Sequence, residues 1–296
     1  CGQCVYQCPF GAIVDKSFIT DVIRLIRESE NNTKYHVYAI VAPSIASQYD
    51  TLENVTTEQA VSGIRELGFH AVLEAAWGAD MVAYLEAQEL VEKGFLTSSC
   101  CPGFVDYIHK NYPDIVPEIS HNYSPMAQLG KVLKEMDPGC KTVFIGPCIA
   151  KKNELRLVRE HVDSVLTFEE LQALFDAKDI DISTLEGTML DNASYFGRIF
   201  ARVGGLSEAV AQALKEHNIS PEEFTANPNG LAECDKALRA HQLGKLENNF
   251  IEGMCCPGGC IGGPACINHS PKDANEVTKY GKTAIEQTIK SSISVL

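Results

Sequence analysis

The sequence predicts an α/β fold in which mostly parallel sheets are flanked by helices. Short, β-branched apolar segments alternate along the chain with longer segments whose apolar residues recur every three or four positions. The chain has 296 residues, 45% of them hydrophobic, which is enough to bury one large core or two smaller ones. Serine or cysteine residues follow several predicted strands, and ligands gather at that edge of a parallel sheet. We therefore expect a buried site at the carboxyl ends of the strands.

The elements follow from these periodicities in order. The first helix is predicted over 17–28 and the first strand over 35–42, where β-branched and aromatic residues end at Pro43. Further helices are predicted at 57–67, 80–93, 124–136, 168–175, 205–215 and 273–293, and further strands at 71–75, 95–98, 142–145 and 164–167. The helix over 80–93 is expected to begin at Gly78-Ala79-Asp80 and to end at Gly94.

Charge and hydropathy exclude several classes of function. A net charge of −14 disfavours nucleic acid and repels anionic membranes. The longest apolar runs, such as 37–42, are far shorter than the ~20 residues that cross a bilayer, and no signal-peptide pattern opens the chain. We expect a cytoplasmic protein. The chain starts at Cys1 without an initiator methionine, so a targeting segment upstream would not be visible.

Four of the twelve cysteines lie in three small-residue blocks: Cys101 in Ser-Ser-Cys-Cys-Pro-Gly, Cys148 in Gly-Pro-Cys, and Cys256 with Cys260 in Met-Cys-Cys-Pro-Gly-Gly-Cys. Four thiolates are what one iron-sulfur cubane requires, and small residues let backbone amides approach its sulfurs. Four thiols gathered only for packing would not need glycine and proline around each of them. The blocks predict a buried metal cluster. Three cysteines outside any motif are expected to be buried small hydrophobes, namely Cys140, Cys234 and Cys266.

Cys1, Cys4 and Cys8 form a separate pattern at the start of the chain. Their spacing and Pro9 match the end of the bacterial ferredoxin run, whose first cysteine would lie three residues before Cys1. The chain therefore looks like part of a longer protein with ferredoxin-type 4Fe-4S clusters upstream. A zinc knuckle is the alternative for these three ligands.

The three cysteine blocks resemble the cluster-binding signatures of the iron-only (FeFe) hydrogenases, T-S-C-C-P, P-C-x-x-K-K-x-E and E-x-M-x-C-x-x-G-C. They stand here at 98–102, 147–154 and 252–260, in the family's order. The resemblance implies reversible formation of H2 from two protons and two electrons at an H-cluster. It also implies a two-lobed catalytic domain over 31–296, preceded over 1–30 by the end of a ferredoxin-like domain and a linker helix.

The resemblance assigns roles to the residues around the cofactor. It implies that Cys101, Cys148, Cys256 and Cys260 hold the 4Fe-4S part of the H-cluster. Cys260 would also bridge to a two-iron unit that carries CO, cyanide and an azadithiolate. Two polar side chains would donate to the cyanide ligands and four further residues would cradle or wall the unit: Ser44 and Lys151, then Ala42, Pro43, Phe200 and Met254.

A proton route is implied in the same way. Glu86, Glu89 and Lys93 are spaced three and four apart, so they share one helix face, which taken alone is usually a solvated face. The resemblance implies instead that Cys100 passes protons to the cofactor and that Glu86, Glu89 and Ser120 relay them. Lys93 stands where relatives often have an arginine at the exit.

Several positions depart from the family pattern. Gly146, Met126 and Phe104 stand where many members have methionine, glutamine and tryptophan, and the stretch 261–264 is shorter than usual. These departures favour a divergent branch of the family and concern catalytic bias, rate and oxygen tolerance rather than the cofactor.

Two other functions use the same fold. One is an H2- or redox-sensing protein, which tends to lose the relay thiol; the other is a non-catalytic iron-sulfur assembly protein, which lacks the relay and the lysine block. Cys100 favours turnover, and Lys151 argues against an assembly protein. The expected partners are maturation proteins and a low-potential electron carrier such as ferredoxin, flavodoxin or a larger complex, with protons and H2 as substrates and with no nucleic acid or membrane.

Overall fold

The structure of the protein, a computed structural model, describes residues 1–49, 55–219 and 225–294. Its α-helices are, in chain order, α1 (Gln3–Tyr6), α2 (Ile19–Glu28), α3 (Thr57–Glu66), α4 (Ala75–Lys93), α5 (Pro102–Asn111), α6 (Pro125–Met136), α7 (Ile149–Glu154), α8 (Phe168–Ala177), α9 (Tyr195–Arg198), α10 (Gly205–Glu216), α11 (Leu231–Gln242), α12 (Asp273–Lys282) and α13 (Ile289–Ile293). Its strands are β1 (Val37–Val41), β2 (Ala71–Glu74), β3 (Leu96–Thr97), β4 (Lys141–Gly146), β5 (Ser164–Thr167), β6 (Thr225–Ala226) and β7 (Phe250–Ile251).

The first lobe is built on a four-stranded sheet in the order β2-β1-β4-β5. All three strand pairs are parallel, with Val41 opposite both Glu74 and Ile145. The central strands are apolar over 37–41 and 143–146 because a parallel sheet covered by helices is buried on both faces. The predicted α/β fold with mostly parallel sheets is confirmed.

The second lobe contains a three-stranded parallel sheet in the order β3-β7-β6. Each strand has two residues, which is too short for a periodicity signal, so only β3 is anticipated by the sequence. The core around this sheet is separate from the larger core on the four-stranded sheet, and it includes Leu96, Leu206 and Phe250.

Helix α4 passes between the two lobes and begins five residues earlier than the sequence predicts. The sequence predicts that Gly78 marks the start of this helix, but Gly78 lies inside it. Glycine is needed at this position because a side chain there would collide with the backbone oxygen of Pro125 at the start of α6. The predicted end is confirmed: Gly94 caps α4 with φ of 78°, a left-handed conformation that favours glycine.

The predicted single helix over 273–293 is wrong. It is interrupted between α12 and α13, although 283–288 contains no glycine or proline. The Glu286 carbonyl instead accepts the Tyr195 amide at 3.4 Å, and Thr288 caps α13 by accepting the Ser291 amide at 3.1 Å. Tertiary pairing with the segment before α9 therefore outweighs local helix propensity.

No helix in the described ranges combines the length and the apolar character needed to cross a membrane. The three strands that precede candidate site residues, β1, β3 and β4, end at one cleft between the lobes, where Ala42, Cys100 and Pro147 line a common cavity.

Candidate metal centre

The cleft contains a cavity that, together with the solvent at its mouth, has about 800 Å³ of empty space. The loops that follow β1, β3, β4 and β7 all contribute to its wall, as expected for the carboxyl ends of parallel strands. The sequence-predicted residues that line it are Ala42, Pro43, Ser44, Cys100, Cys101, Cys148, Lys151, Phe200, Met254, Cys256 and Cys260. The structure thus brings together residues that are more than 200 positions apart.

Cys101 and Cys148 each precede a helix. Cys101 is the N-cap residue of α5 and Cys148 that of α7, and both cysteines line the cavity. The amide groups at the start of a helix favour negative charge nearby, which suits a thiolate.

Cys256 and Cys260 lie on the tight loop after β7. Gly258 and Gly259 have φ of 79° and 94°, and a side chain at Gly259 would meet the Ala201 oxygen at 2.8 Å. Glycine at these positions lets the loop reverse so that both cysteines line the cavity. The Ser98 hydroxyl accepts the Gly253 amide at 3.0 Å and joins this loop to the Cys101 block.

The four thiols influence one another's ionisation. Burial and the neighbouring thiolates raise the pKa of Cys148 to about 11 and that of Cys256 to about 12, and they hold the pKa of Cys260 well above its ordinary value. Cys101 differs, because hydrogen bonds from the Cys255 thiol, the Cys255 amide and the Phe104 amide lower its pKa below the ordinary value of a thiol. Proximity of four thiolates is unfavourable unless cations, such as the irons of a cluster, lie between them.

The residues present fit a multi-iron cluster. In the described part of the chain, no three histidine, cysteine or carboxylate side chains converge on a point that one metal ion would occupy. The four thiols surround a larger space, whose donor set is the soft thiolate set typical of iron-sulfur clusters. Ser44 adds a buried hydroxyl in the cavity wall with no hydrogen-bond partner in the described structure.

Lys151 provides a cation at the cavity wall. Its ammonium donates to Glu154 Oε2 at 2.6 Å and to the Cys100 carbonyl at 3.2 Å. Burial opposes its charge, but Glu154 outweighs burial and raises the pKa of Lys151. Lys152 points away from the cavity to Asp15 and to Glu170.

A buried acid lies beside Cys100. The Glu86 carboxyl is fully buried; its Oε1 accepts the Ser99 amide at 3.4 Å, and its Oε2 has no partner in the described structure. Burial raises the pKa of Glu86 to about 8. Burial and the nearby Glu86 also raise the pKa of the Cys100 thiol well above its ordinary value. Both groups therefore hold a proton at neutral pH.

From Glu86 a series of polar groups continues to the surface. Ser120 contacts Glu86 and donates to Glu89 Oε2 at 3.1 Å. Glu89 pairs with Lys93 at 2.8 Å and with the exposed His121 ring at 2.8 Å. Burial alone would raise the pKa of Glu89, but hydrogen bonds from Lys93 and the His121 amide lower it. On the helix face that the spacing alone would leave solvated, Glu86 is thus buried, Glu89 is half-buried and Lys93 is exposed.

The N-terminal cysteines lie beside the centre rather than in it. Cys1 and Cys4 are exposed and Cys8 is half-buried, and within the described ranges these thiols do not converge on a metal position. The segment contacts the Cys256 loop, since the Gln3 amide donates to Cys256 Sγ at 3.3 Å. The division into domains 1–30 and 31–296 remains a prediction.

Four residues lie near the centre although no motif or spacing in the sequence predicts them there. Phe144 lines the cavity and packs over Gly146, and Cys255 contacts Cys101. His121 and Asn122 both bond to Glu89, Asn122 through its side chain at 2.8 Å. These pairs are mostly formed between distant parts of the chain, so spacing could not reveal them.

The amino-acid sequence is similar to those of two kinds of known protein. The protein is 28% identical over 324 residues to iron hydrogenase 1 of Clostridium pasteurianum, covering 91% of this chain and 56% of that protein, so it spans little more than half of that relative's length. It is 24% identical over 352 residues to a probable cytosolic Fe-S cluster assembly factor of Aedes aegypti, covering 94% of this chain and 73% of that protein.

The fold is similar to that of a solved structure of the FeFe-hydrogenase HydA1 from Chlamydomonas reinhardtii, with a TM-score of 0.75, 20% identity and coverage of 95% of this chain and 93% of that one. Residues 35–264 match the family described as iron only hydrogenase large subunit, C-terminal domain. Because the match covers most of the chain and its cavity gathers the cysteines of all three signatures, the protein belongs to the iron-only hydrogenase large subunit family.

Proposed function

We propose that the protein is the catalytic domain of an FeFe hydrogenase, which interconverts H2 with two protons and two electrons at an H-cluster. The observation that carries the proposal is the polar route that ends at Cys100 in the cavity wall. A site that only stores or senses a cluster has no need of a buried acid with its pKa near 8 beside such a thiol.

The cofactor would be held by Cys101, Cys148, Cys256 and Cys260. When bound, the H-cluster supplies the redox centre at which electrons and protons combine. Lys151 and Ser44 would donate hydrogen bonds to its anionic ligands, because the Lys151 ammonium, which Glu154 keeps charged, lies in the cavity wall and the Ser44 hydroxyl has no partner within the described ranges. An apolar wall excludes water from it, formed by Ala42, Pro43, Phe200 and Met254.

Protons would enter from the surface at Glu89. Ser120 can accept a proton on its hydroxyl oxygen while it donates its own, so it would pass protons between Glu89 and Glu86. Glu86 would then hold the proton in the buried interior and exchange it with the Cys100 thiol, which delivers it to the cavity. The reverse sequence would release protons when H2 is oxidised.

An iron-sulfur assembly function is the second candidate. The similarity to the Aedes aegypti assembly factor over nearly the whole chain favours it. An H2- or redox-sensing role would also use the same cofactor. We favour turnover over both because the route to Cys100 would deliver protons, which neither sensing nor assembly needs, and because Lys151 would bind cyanide, which assembly does not need.

The partners follow from the reaction. A low-potential carrier such as ferredoxin or flavodoxin would supply electrons in the cytoplasm. The Cys1, Cys4 and Cys8 motif beside Cys256 would receive them through a ferredoxin-type 4Fe-4S cluster. Dedicated maturation proteins would install the two-iron unit.

Reconstitution tests the proposal. Protein made anaerobically without maturation enzymes should hold cubanes but evolve no H2. Addition of a synthetic two-iron azadithiolate complex should produce infrared bands of CO and cyanide together with H2 evolution. Bands without activity would favour the sensing role, and failure to bind the complex would favour assembly.

A further inference from the structure

The N-terminal segment is docked against the loop that carries Cys256 and Cys260. The Gln3 side-chain amide donates to Cys256 Sγ at 3.3 Å and to the Gly262 carbonyl at 3.2 Å. Tyr6 stacks on His269 with 4.3 Å between ring centroids, and His269 Nε2 contacts the Gly263 carbonyl at 2.9 Å. These contacts fix the position of Gln3 relative to the sulfur.

A second side chain reaches another thiol of the same centre. Cys255 lies beside Cys101 in the cavity wall, and hydrogen bonds from the Cys255 thiol and amide lower the pKa of Cys101. Cys255 is 4% exposed, lines the cavity, and has its sulfur 3.3 Å from where a side chain at Gly103 would begin. Its backbone is held because its carbonyl accepts the Leu231 amide at 3.2 Å.

We propose that Gln3 and Cys255 donate hydrogen bonds to two of the four cluster thiolates, Cys256 and Cys101, and thereby raise the reduction potential of the cubane. This inference rests on the proposed function, since it requires a cubane on these thiolates. A donor near a thiolate ligand stabilises negative charge, and the reduced cluster carries one more negative charge than the oxidised cluster. Hydrogen bonds to the sulfurs therefore favour reduction.

The position of Gln3 indicates what a raised reduction potential of the cubane would do. Gln3 lies between Cys1 and Cys4, so the contact with Cys256 links the N-terminal cysteine motif directly to the cubane. Docking of that segment would make the cubane easier to reduce, which favours electron flow from the N-terminal cluster inward.

Two variants remove the donors. Gln3→Glu keeps the shape of the side chain and removes its N–H groups, and Cys255→Ala removes the thiol. Gln7→Glu makes the same charge change on an exposed neighbour, and Cys234→Ala removes a buried thiol that donates to the Met254 carbonyl at 3.5 Å instead. Cys255→Ser retains a donor and should restore the parent behaviour.

The measurement is a potentiometric titration followed by electron paramagnetic resonance. It uses the full chain reconstituted with iron and sulfide, without the two-iron unit, and the cubane signal is the one that Cys260→Ala abolishes. At the parent's midpoint potential, each donor variant should show a ratio of reduced to oxidised cubane about tenfold lower, a shift of about 59 mV for a one-electron couple. Both control variants should titrate like the parent.

Each outcome of the titration either supports or contradicts the inference. If the parent holds a cubane and both donor variants titrate within about twofold of it, the inference is wrong and the proposed function is untouched. If Cys255→Ala cannot hold the cubane, Cys255 is a ligand and its donor role is wrong. A parent that assembles no cubane would overturn the proposed function and this inference together.

Discussion

Replacement of Glu86 by glutamine should slow proton delivery and at the same time stabilise the protein. Glutamine keeps the shape of the side chain and can still accept the Ser99 amide, but it takes up no proton. Loss of one acid-base group in a relay should lower H2 turnover by about 10²–10⁴-fold. The H-cluster itself should load normally, because Glu86 is not among the residues that line the cavity.

The gain in stability follows from the raised pKa. Burial moves the pKa of Glu86 from its ordinary value of 4.5 to about 8. Between these values the carboxyl ionises in the unfolded chain but stays protonated in the folded one, so rising pH weakens folding. At about 1.4 kcal/mol per pH unit the loss is roughly 3 kcal/mol at pH 7, and it is absent below pH 4.5. Glu86→Gln removes this loss.

The amide adds no new buried defect. Protonated Glu86 already leaves Oε2 without a partner among the described residues, so an NH2 group at that position replaces one unpaired polar group by another. The stability difference between variant and parent should therefore come from ionisation and should widen as the pH rises from 5 to 8.

Two measurements check this reasoning. H2 evolution is measured with infrared quantification of the cofactor, and anaerobic thermal midpoints are recorded across the same pH range. Glu92→Gln, an exposed position on α4, should change neither quantity. Glu89→Gln should destabilise at neutral pH, because the lowered pKa of Glu89 makes its ionised form the stabilising one. Turnover near the parent rate with a full H-cluster, or a midpoint difference that does not grow with pH, would refute the role of Glu86.

Three other changes have defined outcomes. Cys100→Ala should keep the infrared bands of the cofactor, while H2 turnover falls by more than the ~10²–10⁴-fold expected for loss of a single acid-base group. Cys100→Asp should recover part of the lost turnover. Parent-like turnover in Cys100→Ala would contradict the proton route through Cys100. Cys148→Ser should lose the H-cluster iron, as measured by metal analysis, and full activity would remove Cys148 from the ligand set. Arg198→Met should lower the free energy of unfolding by about 3–5 kcal/mol, because it removes the guanidinium that lies 2.7 Å from the buried Glu74 carboxylate. The added change Glu74→Gln should restore most of the lost stability. A thermal midpoint of Arg198→Met equal to that of the parent would argue against a stabilising ion pair between Arg198 and Glu74.

Elements with a strong local signal could be predicted from the sequence alone. The strand Ser164–Thr167 and the helix Thr57–Glu66 lie within one residue of their predicted bounds. Their apolar periodicity and their caps are local properties; Thr56, for example, accepts the Gln59 amide at 3.2 Å within the same turn. The strands β6 and β7 and the break between α12 and α13 depend on distant partners and had no such signal.

The candidate donor set was also a property of the sequence. The cysteines of the three blocks could be named because each motif is local: glycine and proline flank each cysteine, and they serve the backbone around it. The family could be named for the same reason, and the match over residues 35–264 bears this out.

The tertiary structure decided how these residues are paired and ionised. Gln3 meets Cys256, Cys255 meets Cys101, and Glu89 meets His121 only in the folded tertiary structure. The ionisation of Glu86 depends on burial, because removal of water from the carboxyl, rather than any neighbour in sequence, moves its pKa to about 8. Motif spacing determines which chemical groups are available, whereas desolvation and long-range contacts determine the protonation state that each of them holds.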